Sequence, residues 1–355
     1  MVAFGFGKTS YGQHELLSRR YSVRVYIIAV LMALLAAPCF SAQTVNAPEL
    51  LRKAYAAEKT TAYSAVVEVR TAGGTTATMK VWSSRGRKRI EYLSEPVRGQ
   101  ILIDDGRALY RLNEAEKAAV WMPTPEGSER LDLIFRNYKV TVEGTEDVAG
   151  RKAFLLRVTP KQPPGPSKRL WIDRETKLIL RSESFASDGT LKTASRMTSL
   201  TLNPKFSEGL FRIPEGWRIQ KPPADEQTRW TASELSKRLG IKISEPGYLP
   251  PGFVLEGMYL VRMGMMRWEA AHIRYVDGLN SLSVFQRPLR QGPGQGRGRW
   301  GGWRWRGGRG PDTEQEAWAV GGVGRLIRVV RPGKMYIVVA DLPEKELRKV
   351  ADSLP

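Results

Sequence analysis

YKVTVEGTEDVAGRKAFLLRVTP (residues 138–160) and RLWIDRETKLILRSESFASDGTLKTASRMTSL (169–200) decide the fold of this chain. β-Branched and aromatic residues recur at alternate positions in both. The runs are broken at Ala149-Gly150, Asp173–Thr176 and Asp188-Gly189, which are tight-turn sequences. The reading is a succession of antiparallel strands at 138–143, 151–159, 168–173, 178–185 and 191–202. Upstream the same pattern gives strands at 63–70, 76–83, 88–92, 100–104, 108–113 and 118–122, with Asp105-Gly106 as the strongest hairpin signal. Only residues 47–58 (APELLRKAYAAE) carry a clear helical period ahead of them, through Leu50, Leu51, Ala54 and Tyr55. Residues 131–135 read as a short apolar helix or bridge. So long a run of short strands implies one large sheet that must curl, close or be covered on its apolar face.

Residues 214–230, with Pro222-Pro223 and several charges, read as a linker. A helix at 231–239 follows, with Thr231 or Ser233 as N-cap and Gly240 as its stop. Beyond it lies a smaller unit with strands at 254–262, 270–275, 281–286, 316–320, 325–331 and 335–340 and a helix at 344–353. Its last helix is well signalled, by Pro343 at the start and an apolar stripe of Leu347, Val350, Ala351 and Leu354. The expected organisation is a signal region at 1–42, a first domain at 43–216, a linker and short helix at 217–240, and a second domain at 241–355. The second domain carries a Gly/Arg/Trp-rich insertion at 286–312.

The formal charge is +20, of which residues 1–42 contribute +3 and the remainder +17. Such a surface attracts polyanions. Arg19, Arg20 and Arg24 precede the apolar run VYIIAVLMALLAA (25–37), and the small residues Ser41 and Ala42 follow it. This is the pattern of a cleaved secretory signal, with an uncleaved anchor as the alternative; SRRYSVR matches the twin-arginine pattern only loosely. Export to the periplasm or cell envelope argues against a nucleic-acid partner. Pro38 makes the only cysteine, Cys39, a poor lipidation site, and cleavage would leave a chain with no thiol chemistry and no disulfide.

Catalytic and metal motifs are missing from this sequence. His272 is the only histidine outside the signal region, and Glu269 is the only acid close to it in sequence. Asp104-Asp105 lies at a hairpin and reads as a turn former, and Gly321-Gly322-Val323-Gly324 lacks the Lys-Ser/Thr of a phosphate loop. We therefore expect no enzyme and no cofactor. Two groups of residues are candidates for binding. Trp82, Trp121, Met122 and Trp171 sit on strands, either as core or as the lining of an apolar cavity. Arg297, Arg299, Trp300, Trp303, Arg304, Trp305, Arg306 and Arg309 combine planar charge, interfacial rings and glycine mobility in the insertion. They form either a polyanion-binding loop or a solvated loop with no ligand.

The chain resembles the RseB/MucB family of periplasmic sigma-factor regulators, whose first domain is similar to the lipoprotein carriers LolA and LolB. The resemblance rests on the two fragments quoted first, with their AGR turn and LWLD-type strand, followed in order by LPPGF (249–253) and HIRYVDGLNSLSVF (272–285). It implies an α+β protein: an incomplete antiparallel β-barrel wrapped around a helix, then a smaller α/β domain. It also implies a role in the envelope-stress response, holding the periplasmic part of a membrane anti-sigma factor and sensing lipid, a lipoprotein acyl chain or lipopolysaccharide. A lipid or lipoprotein carrier is the alternative, and self-association is left open. PPGPSK (163–168) replaces the family's tyrosine-rich turn, and the insertion is foreign to its pattern.

Overall fold

The computed structural model describes residues 45–122, 130–221, 223–263, 268–289, 316–320 and 324–355. The signal region, Cys39, Gly321 to Val323 and all eight candidate residues of the insertion lie outside them.

Helix α1 (Ala47–Thr60) begins where Asn46 accepts the Glu49 N–H at 3.1 Å, with proline in its first turn. Its buried stripe is Leu50, Leu51, Ala54 and Ala57. Six strands follow: β1 (Tyr63–Thr71), β2 (Thr76–Ser84), β3 (Arg87–Tyr92), β4 (Ile101–Asp104), β5 (Leu109–Asn113) and β6 (Ala118–Met122). After the short helix α2 (Leu131–Asn137) come β7 (Tyr138–Val148), β8 (Arg151–Pro160), β9 (Ser167–Asp173), β10 (Ile179–Phe185) and β11 (Leu191–Leu202). Each group is a meander of neighbouring hairpins. The two meanders join where β1 pairs with β11, from Tyr63 opposite Leu202 to Thr71 opposite Thr193.

With β12 (Arg218–Gln220) the resulting sheet has twelve strands in the order β12-β6-β5-β4-β3-β2-β1-β11-β10-β9-β8-β7, and its two edges are not hydrogen-bonded to each other. It is an open, incomplete barrel. Helix α1 fills its curl, with Leu50, Leu51 and Ala54 packed on Leu156, Val158, Leu170 and Ile172. Edge strand β7 is eleven residues long, and a register shift between Val142 and Gly144 breaks its line. Glu143, Glu146 and Asp147 add charge there, so the edge is a poor template for another strand.

Described parts of the connection between the sheets take part in both. Strand β12 adds to β6 in parallel, and helix α3 (Ala224–Gln227) lies beside β13 (Val254–Met263). Arg262 holds it there, 2.9 Å from the Asp225 Oδ1 and Glu226 Oε1 atoms. Helix α4 (Ala232–Leu239) is fixed by a reciprocal capping box between Thr231 and Glu234 and ends on left-handed Gly240.

The second sheet contains β13 (Val254–Met263), β14 (Trp268–Val276), β15 (Ser281–Pro288), β16 (Glu316–Val320), β17 (Gly324–Arg331) and β18 (Lys334–Ala340). Their order is β13-β14-β15-β18-β17-β16, antiparallel throughout. Leu235 of α4 and Leu347, Val350 and Ala351 of α5 (Glu344–Asp352) close one face over Ile273, Val284, Ile327 and Val338. The first sheet meets the second at the ends of these strands. The Tyr138 hydroxyl donates to Asp277 Oδ2 at 2.8 Å, and Asn137 Nδ2 donates to the carbonyls of Asp277 (2.7 Å) and Gly252 (2.9 Å). Lys192 Nζ lies 3.0 Å from Asp341 Oδ2, and Leu279 packs into the α1 core. Gly278, at φ +114°, leaves no room for a side chain, since a Cβ there would stand 2.8 Å from the Ile134 nitrogen of α2.

Candidate functional site

The four strand residues do not form one group. Trp171 is 2% exposed on β9; its indole N–H donates to Glu146 Oε2 at 2.7 Å, and Arg181 lies over the ring at 4.1 Å. Trp121 packs in a different cluster with Ile103, Tyr110 and Trp217. Met122 ends β6 opposite Leu109, half-buried. Trp82 is half-buried on β2 under Lys80, whose ammonium is 4.9 Å from the ring centroid. The first two are packing residues by their surroundings, and none of the four lines the cavity described below.

That cavity measures about 740 Å³ and opens where three segments meet: Thr60–Ala62 after α1, the turn Ser84–Arg87 between β2 and β3, and the stretch from Asn203 to Arg212. Phe206 and Phe211 form an edge-to-face pair at 5.4 Å in its wall. Arg85, Arg87 and Arg212 line it, with no acidic side chain among the described lining residues. Arg87 sits over the Phe211 ring at 5.0 Å. Glu58 accepts from Tyr63 (3.0 Å) and Lys88 (3.4 Å), while Asp104 and Asp105 accept the N–H groups of Gly106, Arg107 and Ala108 in their own hairpin. The sequence signal for this site was weak, because its arginines come from separate segments.

His272 lies on β14 with its ring stacked on Phe285 at 4.4 Å and Nε2 2.9 Å from the Ser283 hydroxyl. Glu269 is engaged instead by Arg238 and Arg262, so no carboxylate orients the imidazole. Burial first, and the Arg274 charge second, push its pKa down to about 4. The unfolded chain takes up this proton near the ordinary value of about 6.5, whereas the folded chain resists it. Stability attributable to this site is therefore full above pH 6.5 and falls as pH drops toward 4. The half-buried ring keeps some hydration, so the loss at pH 5 is at most about 2 kcal/mol. We expect His272→Gln to flatten this part of the acid limb in denaturant titrations from pH 7.5 to 5. Parallel curves for the two proteins would refute the assignment.

Among the described residues no group of three or more His, Cys, Asp or Glu could hold a metal ion, and no helix is long and apolar enough to cross a membrane.

Comparison with known proteins places this geometry. The model of the MucB/RseB N-terminal domain matches residues 46–215. The sigma factor AlgU regulatory protein MucB of Pseudomonas aeruginosa is 28% identical over 152 residues, which is 43% of this chain and 45% of that protein. The matched part thus spans about half the length of this curated relative. Among solved structures, MucB in complex with MucA(peri) aligns over 87% of this chain and 98% of that one, with a TM-score of 0.61 at 21% identity. The Pseudomonas aeruginosa MucA/MucB complex gives the same score over 86% and 97%. The structural likeness is one of fold, and it covers both sheets.

Proposed function

We propose, from the match of residues 46–215 to the MucB/RseB N-terminal domain model, that the protein is an exported, non-enzymatic regulator of an envelope-stress sigma factor. It holds the periplasmic part of a membrane anti-sigma factor and releases it in response to lipid or lipopolysaccharide. The observation that carries this reading is the combined match: a sigma-factor regulatory relative in sequence, and a two-sheet body in the fold of a MucB crystallised with MucA(peri). Ordered contacts join the two sheets through Tyr138, Asn137 and Lys192, so a partner meets them as one surface. Residues 1–42 serve as the cleaved signal, 43–216 and 241–355 as the two binding domains, and 217–240 as their connection. The basic insertion, with its Arg and Trp residues, is a secondary contact for envelope polyanions.

The test is capture of partners by the mature protein from envelope extracts, followed by mass spectrometry. A membrane anti-sigma protein should be retained in near-equal amount. Recovery of acyl lipid in stoichiometric amount, with no such protein, would replace this reading with that of a carrier.

A further inference from the structure

The outer edge of β13 is assigned no role by the regulatory reading, and the following does not depend on that reading. We propose that it is a strand-addition site for an extended acidic peptide, occupied in the free chain by residues 223–230 as an intramolecular stand-in. Strand β13 ends the second sheet and pairs on one side only, with β14. In an antiparallel ladder every second residue turns both its N–H and its C=O away from the neighbouring strand. The Trp230 N–H donates to the Met258 carbonyl at 2.9 Å, which places Met258, Leu260 and Arg262 in the outward set. Among the described residues it is the one backbone bond made to this edge from outside the sheet. Exposed edges are commonly guarded by charge, proline or a bulge. The stretch Tyr259-Leu260-Val261 has neither charge nor proline, and the register shift of β13 lies before it, between Leu255 and Gly257. The edge is protected by what lies on it.

That cover is held by the means a bound peptide would use. Trp230 supplies the main-chain bond and packs against the core of the second sheet. Asp225 Oδ1 and Glu226 Oε1 each lie 2.9 Å from Arg262 Nη1, and Asp225 Oδ2 lies 2.5 Å from Nη2, a two-pronged pairing that fixes orientation. Helix α3 has four residues, too few to be stable alone, and ion pairs between partly exposed groups add little each. It is therefore the displaceable part, with Trp230 as its fixed end. Once α3 leaves, the outward groups of Leu260 and Arg262 are open to a strand, as in peptide recognition by sheet extension. Charge selects the peptide. With α3 in place, Asp225, Glu226 and Glu269 surround Arg262 and Arg238, and a further carboxylate is repelled. With α3 displaced, the two guanidinium groups face Glu269 alone in a chain of net charge +20, and a carboxylate is attracted. An acidic peptide thus competes with α3.

The full chain is titrated by fluorescence anisotropy with labelled acetyl-Thr-Val-Glu-Val-Asp-Val-amide. The comparison peptides are a copy with Gln and Asn for its acids, and two copies N-methylated at odd or at even residues. The acidic peptide should bind, and one of the two methylated copies should lose binding, because only every second N–H faces the edge. Asp225→Asn/Glu226→Gln loosens α3 at constant shape and should tighten binding roughly fivefold. Adding Arg262→Gln to that chain should weaken it about tenfold. Hydrogen exchange in the native chain reads the site without any substitution: bound peptide should add protection at 259–263 and remove it at 224–228. The proposal is overturned if the acidic peptide binds neither chain, or if the neutral peptide or both methylated copies bind as tightly. It is also overturned if Asp225→Asn/Glu226→Gln leaves affinity unchanged, or if protection appears elsewhere. Dimerisation of that variant with exclusion of the peptide would overturn it too, and would assign the edge to a second copy.

Discussion

Gly278→Ala should destabilise the chain by about 3 kcal/mol and loosen the second sheet from the first. Two effects act at the same atom. At φ +114° the backbone lies in a region that residues with a Cβ rarely adopt, and the new methyl carbon would stand 2.8 Å from the Ile134 nitrogen and 3.1 Å from the Leu133 carbonyl carbon. Neither neighbour is the end of a flexible side chain, so helix α2 would have to move. Asn137 and Tyr138 follow directly after Ile134's turn and carry the hydrogen bonds to Gly252 and Asp277. Displacing α2 thus breaks the junction as well as straining it. Asp277 is buried with its pKa raised by desolvation, and loss of the Tyr138 hydroxyl would leave that carboxyl with fewer donors. Denaturant unfolding measures the first effect. Hydrogen exchange at 131–138 and 277–281 measures the second, and native protection at both segments would contradict the junction described.

Leu51→Ala should lower stability by about 3 kcal/mol, whereas Leu51→Met should cost less than about 1.5 kcal/mol. Leu51 is fully buried where α1 meets the inner surface of the curled sheet. Truncation removes transfer energy and leaves a void that surrounding strands cannot close, because each is held by two neighbours. The measurement also bears on function. A barrel interior already filled by its own helix depends on that helix for stability, while an interior kept for an acyl chain should tolerate truncation and gain from added lipid. Equal stability of Leu51→Ala and the native chain, or its rescue by fatty acid, would favour the carrier.

Much of the architecture was legible because both sheets consist of short strands with a period of two. The run 191–202 was read with both ends in place, and Thr231 and Gly240 marked the helix between them. The short edge strand β12 was read as linker. Arg-Ile-Gln is too brief to show alternation, and it pairs in parallel with a strand about a hundred residues earlier. Helix α3 leaves no periodic signal in the sequence, because four residues make barely one turn. The junction could not be read either. Asp277-Gly278 looks like any turn, and nothing local reports that it seats on α2.

The candidate residues divide along the same line. Tryptophans on strands stand out in a sequence, but whether one faces a core or a cavity depends on what the sheet curls around, and Trp171 meets Glu146 and Arg181. The cavity arginines were hidden by ordinary surroundings. One signal could have exposed them: Ser84-Arg85-Gly86-Arg87 joins two strands through an arginine where asparagine is usual.

The line along which β1 meets β11 has a kinetic consequence. Every other antiparallel pair in the first sheet links strands adjacent in sequence, and those hairpins form on a microsecond scale. Tyr63 and Leu202 are separated by about 140 residues, and closing a loop of that length costs on the order of 4 kcal/mol of chain entropy before any ladder bond offsets it. The two half-sheets therefore mature separately and join late. Until they do, β1 presents a bare edge in the middle of what will become the sheet, and that interval is when the chain is most exposed to self-association.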